Sequence, residues 1–170
     1  MKAVLLSLLL AGFLFSCEEK KEETAMETPK EDPAMEQFRT NVETTKKMID
    51  AFIEEDTTAM AMYVTDDFIW SPPSVGRDSL SRSEWISSMQ SFMDSYDEIT
   101  LTDPLFYAGL SEEQQPNGDV RAYGLWKSKF AESGKDQMLK WYSVFFFNEE
   151  GKIAHQAEWY DTADLSREIE

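Results

Sequence analysis

The chain has 170 residues, with 33 aspartates and glutamates against 16 lysines and arginines, and a formal net charge of −17. That length suits one domain with extensions, and that charge repels nucleic acid and anionic lipid headgroups, which disfavours both as partners. A single histidine and a single cysteine exclude an intramolecular disulfide and leave too few soft ligands for a zinc site. No phosphate-binding glycine loop, calcium-loop spacing of acids or Gly-x-Ser-x-Gly elbow occurs, so neither a cofactor nor a metal is expected.

Residues 1–16 read MKAVLLSLLLAGFLFS. A positive Lys2, a short apolar run and a small Ser16 read as a secretory signal peptide. The run is shorter than the roughly 20 apolar residues of a membrane span. The next residue is Cys17, and Leu14 to Cys17 resembles the lipobox of bacterial lipoproteins. That resemblance implies cleavage before Cys17 and lipidation, palmitate included, of its thiol. Acyl chains there would hold the protein to the membrane, each buried methylene contributing about 0.8 kcal/mol. The other readings are an ordinary cleaved signal with a free cysteine, and an N-terminal membrane anchor. Residues 17–35 hold many acids, two prolines and no aromatic residue, so they read as a disordered acidic tether. Glu18, Glu19, Glu22 and Glu23 resemble export signals of surface lipoproteins. The implied location is the cell envelope, lipid-anchored at the outer membrane and exposed at the surface if that export signal operates.

The folded part is expected over 36–165, with 166–170 as a C-terminal tail. Phe38, Val42, Thr45, Ile49, Phe52 and Ile53, with Met48 beside them, lie on one face of a predicted helix. Asp56 can cap a short second helix through Met62. Asp67–Ser71 reads as a strand stopped by Pro72 and Pro73, and SVGRDSLS as a loop. Ser81 to Glu84 fits a capping box, and Trp85, Ile86, Met89, Phe92, Met93 and Tyr96 form the stripe of a third helix. After Asp97 the period changes to four strand-like runs. Pro116-Asn117-Gly118, Ser133-Gly134-Lys135 and Asn148 to Gly151 separate them as predicted turns, and Asp103-Pro104 suggests a bulge.

This order resembles the nuclear-transport-factor-2-like superfamily, and within it the SnoaL-like, polyketide-cyclase-like branch, over about residues 36–165. The helix-1 pattern, DFIWSPPSVGRDS and the closing Gly151-Lys152-Ile153 with Glu158-Trp159-Tyr160-Asp161 carry the likeness. It implies an α+β fold: a curved antiparallel sheet wrapped around three N-terminal helices, leaving a cone-shaped cavity. The superfamily spans isomerases, dehydratases, hydrolases, cyclases, transport adaptors and binding modules, so the fold alone names no activity.

Strand alternation then sorts the side chains. Lysines and an arginine on one face of the third and fourth strands turn Trp126, Ser128, Trp141, Ser143 and Phe145 inward. In the closing strand, His155 shares parity with Ile153, Ala157 and Trp159, and Glu158 with Gln156 and Tyr160. The resemblance implies that Glu158 points into the cavity and His155 away, so the two do not act as a couple. The expected ligand-binding set is Trp70, Trp126, Ser128, Trp141, Ser143, Phe145 and Tyr160 around Glu158. Three functions remain open: binding a small hydrophobic molecule; an isomerase, dehydratase or cyclase with Glu158 as general acid or base; and a homodimeric interaction module using the apolar outer sheet face. Aromatic residues on a curled sheet also serve simply as core, and Ser128, Ser143 or Tyr160 could satisfy Glu158 without chemistry.

Overall fold

Asp32 opens the first helix for a local reason. Its carboxylate accepts from the Ala34 amide, and Pro33 in the first turn has no N–H to leave unpaired. In the computed structural model, which describes residues 32–77 and 79–169, helix α1 accordingly spans Pro33–Ile53, starting ahead of the predicted Glu36. The expected signal peptide, Cys17 and all of the acidic tether up to residue 31 lie outside the described residues. Helix α1 buries Val42, Thr45, Met48 and Ile49 as its stripe predicts, together with Asn41. Asn41 is buried at no loss because its Nδ2 donates to the Gly118 carbonyl at 2.9 Å.

Helix α2, Thr57–Met62, begins where Asp56 accepts from the Ala59 amide. Strand β1 runs Val64–Ser71 and buries Val64, Phe68 and Trp70. Strand β2, Leu80–Ser81, lies in the predicted loop and pairs antiparallel with β1 through Trp70 and Leu80. Two residues carry no periodicity, so only the tertiary pairing reveals them. Helix α3, Arg82–Ser95, has both arms of the capping box: the Ser81 hydroxyl accepts from the Glu84 amide, and the Glu84 carboxylate accepts from the Ser81 amide. Tyr96 then turns to an extended φ of −135° and starts the next strand without a linker.

Strands β3 (Tyr96–Leu110), β4 (Pro116–Phe130), β5 (Asp136–Phe147) and β6 (Ile153–Trp159) form an antiparallel meander. The sheet order is β2-β1-β6-β5-β4-β3, with one parallel ladder, β1 against β6. The α+β fold, with its curved, unclosed six-stranded sheet around helices, agrees with the expected class. The predicted turn at Pro116-Asn117-Gly118 is instead the start of β4. The chain reverses over Ser111–Gln115, where Ser111 donates to the Gln115 carbonyl. Gly118, at φ 83°, serves in the strand, where a Cβ would meet the Gln37 side chain at 2.9 Å.

The sheet's curvature comes largely from β3. Its register against β4 shifts at three points, and Glu98 and Asp103 take left-handed φ values of 55° and 49°. Bulges bend a strand and increase its twist, so β3 and β4 curl over α1 and α3. Trp85, Phe68, Phe145, Met60, Ile153 and Val64 fill the closed part of the core. A 3₁₀ turn, Thr162–Ser166, follows β6, capped by Asp161. Beyond it Ile169 bridges Asp136, so residues of the expected tail pack on β5.

Candidate functional site

Strand β6 positions the site through one irregularity. Phe146 opposes His155 and Phe147 opposes Ile153, so Ala154 is an extra residue between them. Ile153 therefore points into the core, although simple alternation puts it on the outer face with His155. After the bulge the alternation resumes: His155, Ala157 and Trp159 outward, Gln156 and Glu158 inward. His155 stacks on Phe146 at 5.0 Å and its Nε2 lies 2.9 Å from the Ser71 hydroxyl. Burial pushes its pKa down, toward the neutral ring. It takes no part in the Glu158 cluster.

Glu158 is buried, and three donors converge on its carboxylate. The Trp141 indole N–H donates to Oε1 at 2.7 Å and the Gln156 amide to the same oxygen at 2.9 Å; the Trp70 indole donates to Oε2 at 2.8 Å. Burial holds the Glu158 pKa above its ordinary value, and the bonds from Trp141, Trp70 and Gln156 oppose that without overcoming it. Tyr160 follows on the same side. Burial first, then the negative charge of Glu158, pushes its pKa upward, so it is a neutral hydroxyl.

These groups border a recess of about 90 Å³, open on one side. The sheet contributes Trp126, Ser128, Gln137, Leu139, Trp141, Gln156 and Glu158. The helices contribute Met48, Ile49, Phe52, Met60, Trp85, Met89 and Phe92, and Leu165 of the 3₁₀ turn closes one side. That turn is held by Tyr96, whose hydroxyl donates to the Leu165 carbonyl, and by Gln137, which donates to the Asp164 carbonyl at 3.1 Å. Three of the wall's aromatic rings interlock edge to face: Phe52 on Trp126 at 5.3 Å and Trp126 on Trp141 at 5.7 Å.

The structure thus brings Trp126, Ser128, Trp141, Glu158 and Tyr160 to one wall. Three expected members stand elsewhere. Ser143 and Phe145 point inward, as alternation requires, but are completely buried below the recess. The Ser143 hydroxyl donates to the Ala157 carbonyl at 3.1 Å and accepts from the Gln156 amide at 3.4 Å. Trp70 is also buried in the core and reaches the site only through its bond to Glu158. Ser128 faces the recess but already donates to Gln137 at 2.9 Å. The helix half of the wall was absent from the sequence-based set, although both helix stripes carried its signal. Gln156 was also legible, two residues before Glu158 on the same strand face. Among the described residues no group of three or more His, Cys, Asp or Glu side chains could hold a metal ion.

Comparison with solved structures places this architecture. An NTF2-like protein from Burkholderia xenovorans superposes with a TM-score of 0.59 at 16% identity, over 78% of this chain and 97% of its own. A provisionally assigned polyketide cyclase from Xanthomonas campestris gives 0.61 at 19% identity, over 75% and 95%. A provisionally assigned isomerase from Bacillus subtilis gives 0.63 at 14%, over 75% and 91%. The fold is the NTF2-like cone. No protein-family model matches the sequence, and no curated protein matches it. At these identities the likeness concerns fold alone, and the NTF2-like cone hosts many chemistries.

Proposed function

We propose that the cone binds a small, largely apolar molecule, and that Cys17 anchors it to the outer membrane by lipid. The observation that carries the first half is the recess: aromatic and methionine walls around a single buried carboxyl group. Such sites combine apolar walls with few polar groups that fix orientation. The volume of about 90 Å³ is below the roughly 300 Å³ of drug-sized sites, which supports a fragment-sized head group with the rest of the ligand at the open side. Methionines at the wall can repack around different shapes. Titrating the full chain with the neutral probe 3,3-dimethylbutan-1-ol should perturb the fluorescence of the wall tryptophans in a saturable way. A linear, non-saturating response up to the solubility limit would count against an occupied cavity.

Anchoring is supported by the order Lys2, apolar run, Ser16, Cys17 in the sequence. A second reading, catalysis, is favoured by Glu158, whose burial raises its pKa toward the range useful for general acid–base work. In that reading Glu158→Gln abolishes turnover while leaving ligand uptake measurable; unchanged turnover would remove Glu158 from the chemistry.

A further inference from the structure

Resting on the cavity reading above, we propose that the recess beside Glu158 takes a small alkylated ammonium ion, the cationic head of a ligand whose remainder is apolar or reaches solvent. The geometry that leads there is an imbalance of charge. Indole N–H groups can only donate, and the amide of Gln156 is also turned as a donor. Three donors on one carboxyl group are arranged for the anion rather than the neutral acid. Yet none of the ion pairs among the described residues includes Glu158; each lies near the surface. A buried carboxylate without a positive partner is costly, and Glu158 borders the recess from which such a partner could come. Its Oε1 takes two donors, whereas Oε2 takes one and keeps a lone pair free.

The other walls suit the same guest. Trp126, Trp141, Trp85 and Phe52 surround the space, and aromatic rings attract desolvated ammonium groups through their quadrupoles. A recess of about 90 Å³, open on one side, admits a compact head group. Four other titratable groups lie near the recess: Tyr160, Tyr96, Lys127 and Arg77. Tyr160 and Tyr96 are held neutral by burial. Lys127 on β4 lines the recess but is exposed, and Arg77 acts electrostatically on Tyr160; neither appears in an ion pair with Glu158 among the described residues. A net charge of −17 raises the local concentration of cations around the protein.

Choline and its uncharged isostere 3,3-dimethylbutan-1-ol separate this inference from the cavity reading on which it rests. Both are titrated calorimetrically into the full chain. Choline should bind about tenfold tighter or better, and its affinity should fall on acidification as Glu158 takes a proton, while the alcohol shows no such pH dependence. A smaller preference, or tighter binding of the alcohol, overturns the cation assignment and leaves the apolar cavity standing. Failure of both to bind overturns both readings. Glu158→Gln, where it folds, should erase the preference for charge; retention of the preference in a folded variant also overturns the assignment. The wild-type comparison stands alone if that variant does not fold.

Discussion

Glu158 is the residue on which the site turns, and its surroundings make opposing demands. Truncation to alanine would orphan two indole N–H groups and an amide donor. An unsatisfied buried donor costs about 1–3 kcal/mol, so Glu158→Ala should lose roughly 3–5 kcal/mol in urea denaturation, given non-additivity. A loss below about 1 kcal/mol would mean that water replaces the carboxyl group without penalty. The pH dependence has a definite sign. The folded-state pKa lies above the ordinary 4.5, so the native state binds this proton more readily than the unfolded chain does. The contribution is complete below the unfolded value and lost as pH rises through the folded one. Relative to Glu158→Gln, the wild type should therefore gain stability on acidification until pH reaches about 4.5; an opposite slope would show that the three donors outweigh burial. The inward orientation of Glu158 followed from strand alternation combined with the family likeness. Its two indole partners did not, because Trp70 lies 88 residues away in sequence and Trp141 17 away.

At the scale of elements, capping chemistry was the most legible signal. Asp56 and Ser81 each cap a helix at the position their local pattern dictates, since a cap depends only on the first turn's own backbone amides. Ser81→Ala should cost about 1 kcal/mol, read as a lower urea midpoint with an unchanged slope. A neutral result would mean that solvent serves the first turn equally well. Strand ends were less legible. Pro116-Asn117-Gly118 has turn composition, yet it sits in β4, where the Gly118 carbonyl receives Asn41 of α1 and its missing Cβ makes room for Gln37. A local preference for a turn was overridden by packing against a helix distant in sequence. The bulge at Ala154 is similar: nothing in GKIAHQAEWYD announces that Ile153 and His155 face opposite ways, and the core's need for Ile153 decides it.

For the whole molecule, the outer sheet face bears on assembly. Tyr107, Tyr123, Tyr142 and Trp159 form a row across four strands, with neighbouring rings 5.8, 4.5 and 5.2 Å apart. Trp159 is 52% exposed at its end. Apolar rows of this kind mark interaction surfaces, which favours the homodimer reading as a proposal. Sedimentation of the Cys17→Ser protein should give a dimer, and adding Trp159→Lys should give a monomer; a monomer before that second change would sink the dimer. The same Cys17→Ser change should move the protein from the membrane to the soluble fraction if lipid is the anchor, whereas retention would favour the uncleaved apolar segment. Among the described residues no helix is long and apolar enough to cross a membrane.

The sequence by itself determined the order of the main helices and strands, though not the two-residue β2, together with the helix caps and stripes, the inward faces of β4 and β5 and the absence of familiar cofactor motifs. Those features follow from local backbone chemistry and from the periods of helices and strands, which a linear pattern records. Only the tertiary structure decided which inward residues reach open space and which are sealed in the core. Ser143 and Ser128 share a sheet face, yet Ser143, between Trp141 and Phe145 on β5, is fully buried and Ser128 borders the recess. Depth within a cone depends on strand curvature and on how helices from the other half of the chain fill it. Curvature here comes from bulges in β3, and filling from α1 and α3, so neither is written in the alternation of any single strand.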